Sequence, residues 1–147
     1  SGRFRAARFS AAHRRVRRLK VSVVVDLAAR YLAHAQTCAR TDYGSRISLH
    51  RHNRAAQAMR KIVTSAYKSG AEGIEGLLPL LVQPPADSRL AFQLLDLGSP
   101  PPTVLEQCLA IIQLRAAQPG PEGIGAAIWL REWLEKHPET SLRPMAQ

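Results

Sequence analysis

Residues 1–20, SGRFRAARFSAAHRRVRRLK, contain no Asp or Glu, although the 147-residue chain has 11. Eight of the 21 Lys and Arg fall there, so most of the formal net charge of +10 belongs to this stretch. The remaining chain is close to neutral, which excludes a domain that is basic throughout. Cysteine is scarce too: Cys38 and Cys108 lie far apart with no paired spacing. A disulfide framework and a zinc knuckle are thereby excluded, and both residues read as buried reduced thiols. No apolar run reaches the roughly 18 residues that a membrane-spanning helix requires, and no apolar leader precedes a small-residue cleavage site. The expectation is a cytoplasmic protein without a membrane partner. Period-two alternation is missing except in VSVVV at 21–25, which reads as a helix start, so an all-α chain is expected.

Signatures of chemistry are missing as well. There is no Gly-x-Ser-x-Gly, no Cys-His arrangement and no pair of carboxylates flanking a cleft. Gly120 to Gly125 shares only its composition with a phosphate-binding loop. No catalytic, cofactor-binding or metal-ligating residue is assigned, and the chain is expected not to be an enzyme.

What is there is helical. A hydrophobic content of 46% with 22% charged residues is that of a globular protein, and this length makes one domain. Val24, Leu27, Ala28, Tyr31, Leu32, Ala35 and Cys38 recur at three- and four-residue steps, predicting a helix over about 22–39. A second stripe runs from Leu49 through Ala56, Met59, Ile62, Val63 and Ala66 to Tyr67 and stops at Gly70, a glycine cap. Ile74, Leu77, Leu78, Leu81 and Val82 predict a short helix that tolerates Pro79 near its start. Pro84 and Pro85 end it, and Asp87 is placed to N-cap a helix carrying Leu90, Ala91, Leu94, Leu95 and Leu97. Thr103 and Glu106 have capping-box spacing at the head of a fifth helix, striped by Val104, Leu105, Cys108, Leu109, Ile111 and Ile112. Pro121 suits the first position of a sixth, whose expected core face is Ile124, Ala127, Ile128, Leu130, Trp133 and Leu134.

Residues 1–20 admit three readings. They form a contact for nucleic acid or anionic lipid, since clustered arginines release counterions from phosphates; an Arg-rich, acid-free targeting segment; or translated upstream sequence, with initiation at Val21 or Val23. The opening Ser1-Gly2 reads as a tag remnant or a trimmed start. The expected organisation is a flexible basic tail over 1–20, a helical domain over 21–138 and a loose end over 139–147.

LLPLL, Pro84, and then Asp87 and Arg89 opening the next apolar helix resemble a HEAT repeat, with Ser88 and Phe92 where that repeat has Val and Ala. A broader resemblance spans about Val24 to Trp133. Asn53 in a long basic helix, the block GIEGLLPLL, RLAFQLL, and G-P-E-G-I-G-A-x-x-x-L-x-x-W at Gly120 to Trp133 are similar to a family of small bacterial proteins catalogued as a domain of unknown function. The resemblance implies a HEAT-like α-α superhelix of about six helices and implies no activity.

Few side chains stand out against that packing. His34 and Cys38 have metal-ligand spacing on one helix face but lack two further ligands, so a packed thiol beside a boundary histidine is the simpler reading. His50 and His52, two residues apart, point to different helix faces. Arg51, Arg54, Arg60 and Lys61 make the second helix basic, a solvated face or an acidic partner's groove. Trp129 and Trp133 share a face; Trp133 is expected in the core and Trp129 at its edge, where it is a candidate partner anchor. The expected function is a protein–protein interaction module, with an immunity- or antitoxin-like protein fitting by analogy. Nucleic-acid binding through residues 1–20 and the basic second helix is the alternative.

Overall fold

The computed structural model describes residues 27–142. The reading of residues 1–20, the start expected at 22 for the first helix and the last five residues of the loose end lie outside them. Residues 27–39 are helical (α1) and end where the sequence stripe ends. Helix α2, Arg46–Lys68, starts three residues before its first expected apolar position because Ser45 caps it, its hydroxyl accepting from the Ser48 N–H at 3.2 Å. Ser69 closes α2, and Gly70 then takes φ +78°, the left-handed conformation that a residue just past a helix end favours.

The next stripe does not form one helix. It divides into α3, Ala71–Leu77, and a 3₁₀ turn, Leu78–Val82. Pro79 has no N–H to give the Glu75 carbonyl four residues back, and its ring crowds that group; the Leu78 N–H bonds Glu75 instead, and the chain tightens. The tighter turn buries Leu80 and Leu81 and leaves Val82 73% exposed, contrary to the sequence expectation.

Two expected caps are also absent. Helix α4, Ala86–Leu97, begins before Asp87, with Pro85 at the cap position and no side-chain cap bond. Asp87 falls inside the first turn, where its carboxylate suits the positive end of the helix dipole. Helix α5, Pro102–Ala116, begins before Thr103, so no capping box forms there. In α5 Pro102, with its φ preset, starts the helix ahead of the polar residue, and in α4 Pro85 occupies the cap position itself. Helix α6, Pro121–Lys136, has Pro121 at its first position as expected, behind Gly120 at φ +92°.

The described residues are all-α and contain no strand. From α2 onward each helix packs on its neighbour in the chain, α2 on α3, the 3₁₀ turn on α4, α4 on α5, α5 on α6, the succession of an α-α superhelix. Two ties fold the stack more closely than a single file. Helix α2 also packs on α4. The buried Tyr31 of α1 donates its hydroxyl proton to Gln93 Oε1 of α4 at 2.7 Å.

One continuous core results, with Tyr31, Met59, Leu77, Leu90, Leu94, Ile112, Val63 and Cys108 its largest fully buried side chains. No buried side-chain nitrogen or oxygen lacks a partner among the described residues. Leu142, within the expected loose end, packs partly buried against the core.

Helix α6 is rotated relative to expectation. Its buried residues are Gly123, Ala126 and Leu130, whereas Ile124 and Ile128 are 62% and 44% exposed. The cause is backbone proximity: a Cβ on Gly123 would lie 1.8 Å from the Gln118 carbonyl oxygen. Only a glycine face admits that turn so closely, so the small residues turn inward and the isoleucines turn out. Arg115 and Glu122 pair at 2.8 Å across the same turn.

Candidate functional site

Three features stand at the surface. The first is an aromatic ladder on α6. Trp129 and Trp133 lie nearly parallel with ring centroids 6.2 Å apart, and Trp133 stacks on His137 at 4.0 Å. His137 Nδ1–H donates to the Trp133 carbonyl at 2.8 Å, fixing the imidazole over the indole. Both tryptophans are half-buried, so Trp133 is not the closed core residue expected of it. It stands seven residues after Ala126, on the buried side of the helix, and packs against the core only in part. Trp129 meets Phe92 of α4 edge-on at 5.0 Å and donates its Nε1–H to Asp96 at 3.1 Å. Its polar atom and one ring edge are thus committed within the chain.

The second feature is the opposite flank of α6. Ile124, Ala127 and Ile128 are exposed there. An opening of about 480 Å³ between α5 and α6 is lined by Ala116, Ala127, Leu130 and Leu134, with Arg131 and Glu135 beside them.

The third is a groove of about 380 Å³ between α1 and α2. Arg30 enters from α1 and Arg54 and Lys61 from α2, with Gln57 and Ser65 interspersed and Leu27, Ala58 and Ile62 as the apolar lining. Arg54 and Lys61, seven residues apart, share a helix face by the α-helical period. Arg60 is turned about 100° from Lys61 and is exposed outside the groove, as is Arg51, one turn before Arg54.

Of the five residues singled out in the sequence, then, two are brought together, two point elsewhere on α2, and Trp129 sits on α6. Arg30 escaped sequence reasoning because α1 was read for its apolar stripe alone. The signal that finds it is the absence of any acid between Asp42 and Glu72, which leaves the cations of α2 without carboxylates on their own helix.

The reactive groups are placed for packing. Cys108 is fully buried, and burial pushes its thiol up to about 12. Cys38 is buried with its Sγ 3.8 Å from the His52 carbonyl oxygen. His52 bonds the Thr41 hydroxyl at 2.8 Å, while His50 is exposed. Burial likewise raises the Tyr31 hydroxyl far above its ordinary range and pushes Tyr67 up to about 12. Among the described residues no three His, Cys, Asp or Glu cluster in a way that would hold a metal ion, and no helix is long and apolar enough to cross a membrane. No protein-family model, curated protein or solved structure significantly matches the chain.

Proposed function

We propose that this chain is a non-enzymatic protein-binding module built on HEAT-like helical hairpins. The observation that carries the reading is the apolar flank of α6, where Ile124 and Ile128 lie 62% and 44% exposed beside Ala127. Burying a branched aliphatic side chain is worth about 1.5 to 3 kcal/mol. A sequence that turns two isoleucines of one helix to water forgoes much of that within its own fold and regains it against a partner. Contiguous exposed apolar surface rimmed by charge, here Arg131 and Glu135, is the usual mark of such a contact. A protonated, buried Cys108 suits packing better than nucleophilic work. A small blocking protein of the immunity or antitoxin type fits the reading by analogy of size and scaffold.

Nucleic-acid binding is the second reading, favoured by one specific observation: α2 places six Lys and Arg and no Asp or Glu along 23 residues. Salt separates the two, because phosphate binding weakens steeply as counterions compete and an apolar interface does not. The test is co-purification with the products of neighbouring genes, using the parent and an Ile124→Asp/Ile128→Asp variant. A protein retained in high salt by the parent and lost by the variant supports the module. A bound species that is nucleic acid, or a protein partner held equally by both forms, refutes this assignment of the surface.

A further inference from the structure

The α1–α2 groove has a chemistry unlike that of the α6 flank and shares no residue with it. Arg30, Arg54 and Lys61 converge on one opening, and among the described residues no carboxylate lines it. The ion pair found among the described residues, Arg115 with Glu122, is at the far end of the stack. Like charges gathered without a counter-charge repel one another, and the repulsion is relieved when an anion enters. Gln57 and Ser65 add neutral hydrogen-bonding groups between the cations, and Leu27 and Ile62 give the groove an apolar side.

Those features select among anionic occupants. No aromatic ring among the described residues lines the groove, so they offer no platform on which bases of a single strand would stack. An apolar wall beside cations suits a chain that alternates carboxylates with aliphatic side chains. Residues 1–20, with eight Lys and Arg and no acid, carry the same sign as the groove and do not complement it. We propose that the α1–α2 groove binds an acidic peptide segment of a partner protein, its carboxylates held by Arg30, Arg54 and Lys61 and an aliphatic neighbour held against Leu27 and Ile62. The protein-binding reading supplies only the class of partner; the site itself is separate from the α6 flank and fails separately.

The experiment is fluorescence anisotropy of the full chain with a fluorescein-labelled eight-residue peptide of glutamate and leucine. Its glutamine–leucine counterpart and labelled (dT)₈ serve as comparisons. The acidic peptide binds and the glutamine version does not. Arg54→Ser/Lys61→Ser weakens binding about tenfold, the equivalent of 1.4 kcal/mol, without shifting the thermal melt, because both side chains are exposed. Arg14→Ser/Arg15→Ser removes the same charge elsewhere in the sequence and leaves binding within about twofold. Amide shifts of Arg30, Gln57 and Ser65 on titration place the peptide in the groove.

Equal losses in the two double variants would show attraction to net charge alone and overturn the proposal. So would tighter, groove-dependent binding of (dT)₈, or no binding of the acidic peptide. Binding abolished by Ile124→Asp/Ile128→Asp but untouched by the groove variant would sink the groove and leave the α6 reading standing.

Discussion

Two glycines of α6, two residues apart, should respond to the same substitution in opposite directions. Gly123 is the third residue of the helix, and an added Cβ would stand 1.8 Å from the carbonyl oxygen of Gln118. Real Cβ contacts essentially never fall below 3.0 Å, so the turn from α5 must withdraw by more than an ångström. That turn also carries the Arg115–Glu122 pair and seats the buried Ala126 and Leu130 against α5. Overpacking a fitted contact costs about 1 to 3 kcal/mol, and because the obstacle is backbone, Gly123→Ala should fall at the top of that range. For a domain of this size each kcal/mol moves the melting temperature by about 4 °C, so a drop of roughly 10 °C is expected. Gly125 has nothing within 4 Å of its added Cβ and a negative φ. Gly125→Ala should gain about 0.5 to 1 kcal/mol from helix propensity and the stiffer unfolded chain. Circular dichroism at 222 nm through a thermal ramp, with urea midpoints as a check, reads both. If Gly123→Ala melts within 2 °C or so of the parent, or Gly125→Ala falls as far as Gly123→Ala, the rotation of α6 described above is wrong.

Stability should decline in alkali: Cys108, Tyr67 and Tyr31 are all raised by burial, so the folded state holds their protons where the unfolded state has lost them. The contribution is intact below about pH 9 and is lost as pH rises toward 12, with a slope of up to about 1.4 kcal/mol per pH unit from the thiol. Urea midpoints between pH 8 and 11 should fall, and less so in Cys108→Val; a flat profile refutes the burial argument. Trp133→Ala should cost about 2 kcal/mol, below the value for a closed core ring, because the indole is only half-buried; chemical denaturation measures it. Trp129→Phe keeps the edge contact to Phe92 and loses the bond to Asp96, so a loss of about 1 kcal/mol is expected, with Asp96→Asn adding little more on top. Ile124→Asp/Ile128→Asp should leave the melting temperature within a degree or two of the parent, since neither residue belongs to the core.

The helices were legible because apolar period is a statement about one chain segment at a time. Most of each stripe in α2, α4 and α5 lies in the core: Met59, Ile62, Val63 and Ala66; Leu90, Ala91, Leu94 and Leu95; Val104, Cys108, Leu109 and Ile112, while Ala56, Tyr67, Leu97, Leu105 and Ile111 pack against it only partly buried. Gly70 and Pro121 were legible for the same reason, since a left-handed residue after a helix and a preset φ at its start are local matters. The caps expected at Asp87 and Thr103 failed on competition between neighbours. Each follows closely on a proline that is equally suited to start a helix, and spacing alone does not say which starts first.

The sites were less legible, and α6 shows why. Its sequence offers two faces, one of isoleucines and one of Gly123 and Ala126, and hydrophobicity favours the first. The second is buried because the turn at Gln118 comes within a carbonyl's reach of the helix, a distance that no reading of α6 alone contains. Once the small residues are inward, the isoleucines must face out and Trp129 must lean toward Asp96 and Phe92. The candidate contact surface thus follows from a packing constraint in the preceding turn. The α1–α2 groove has the same origin. Arg54 and Lys61 were visible as basic residues of one helix, but only the pairing of α1 with α2 supplies Arg30 and the apolar wall of Leu27. A surface made by two elements is encoded in both, and in a helical stack the rotation of each helix about its own axis decides which of its residues reach it.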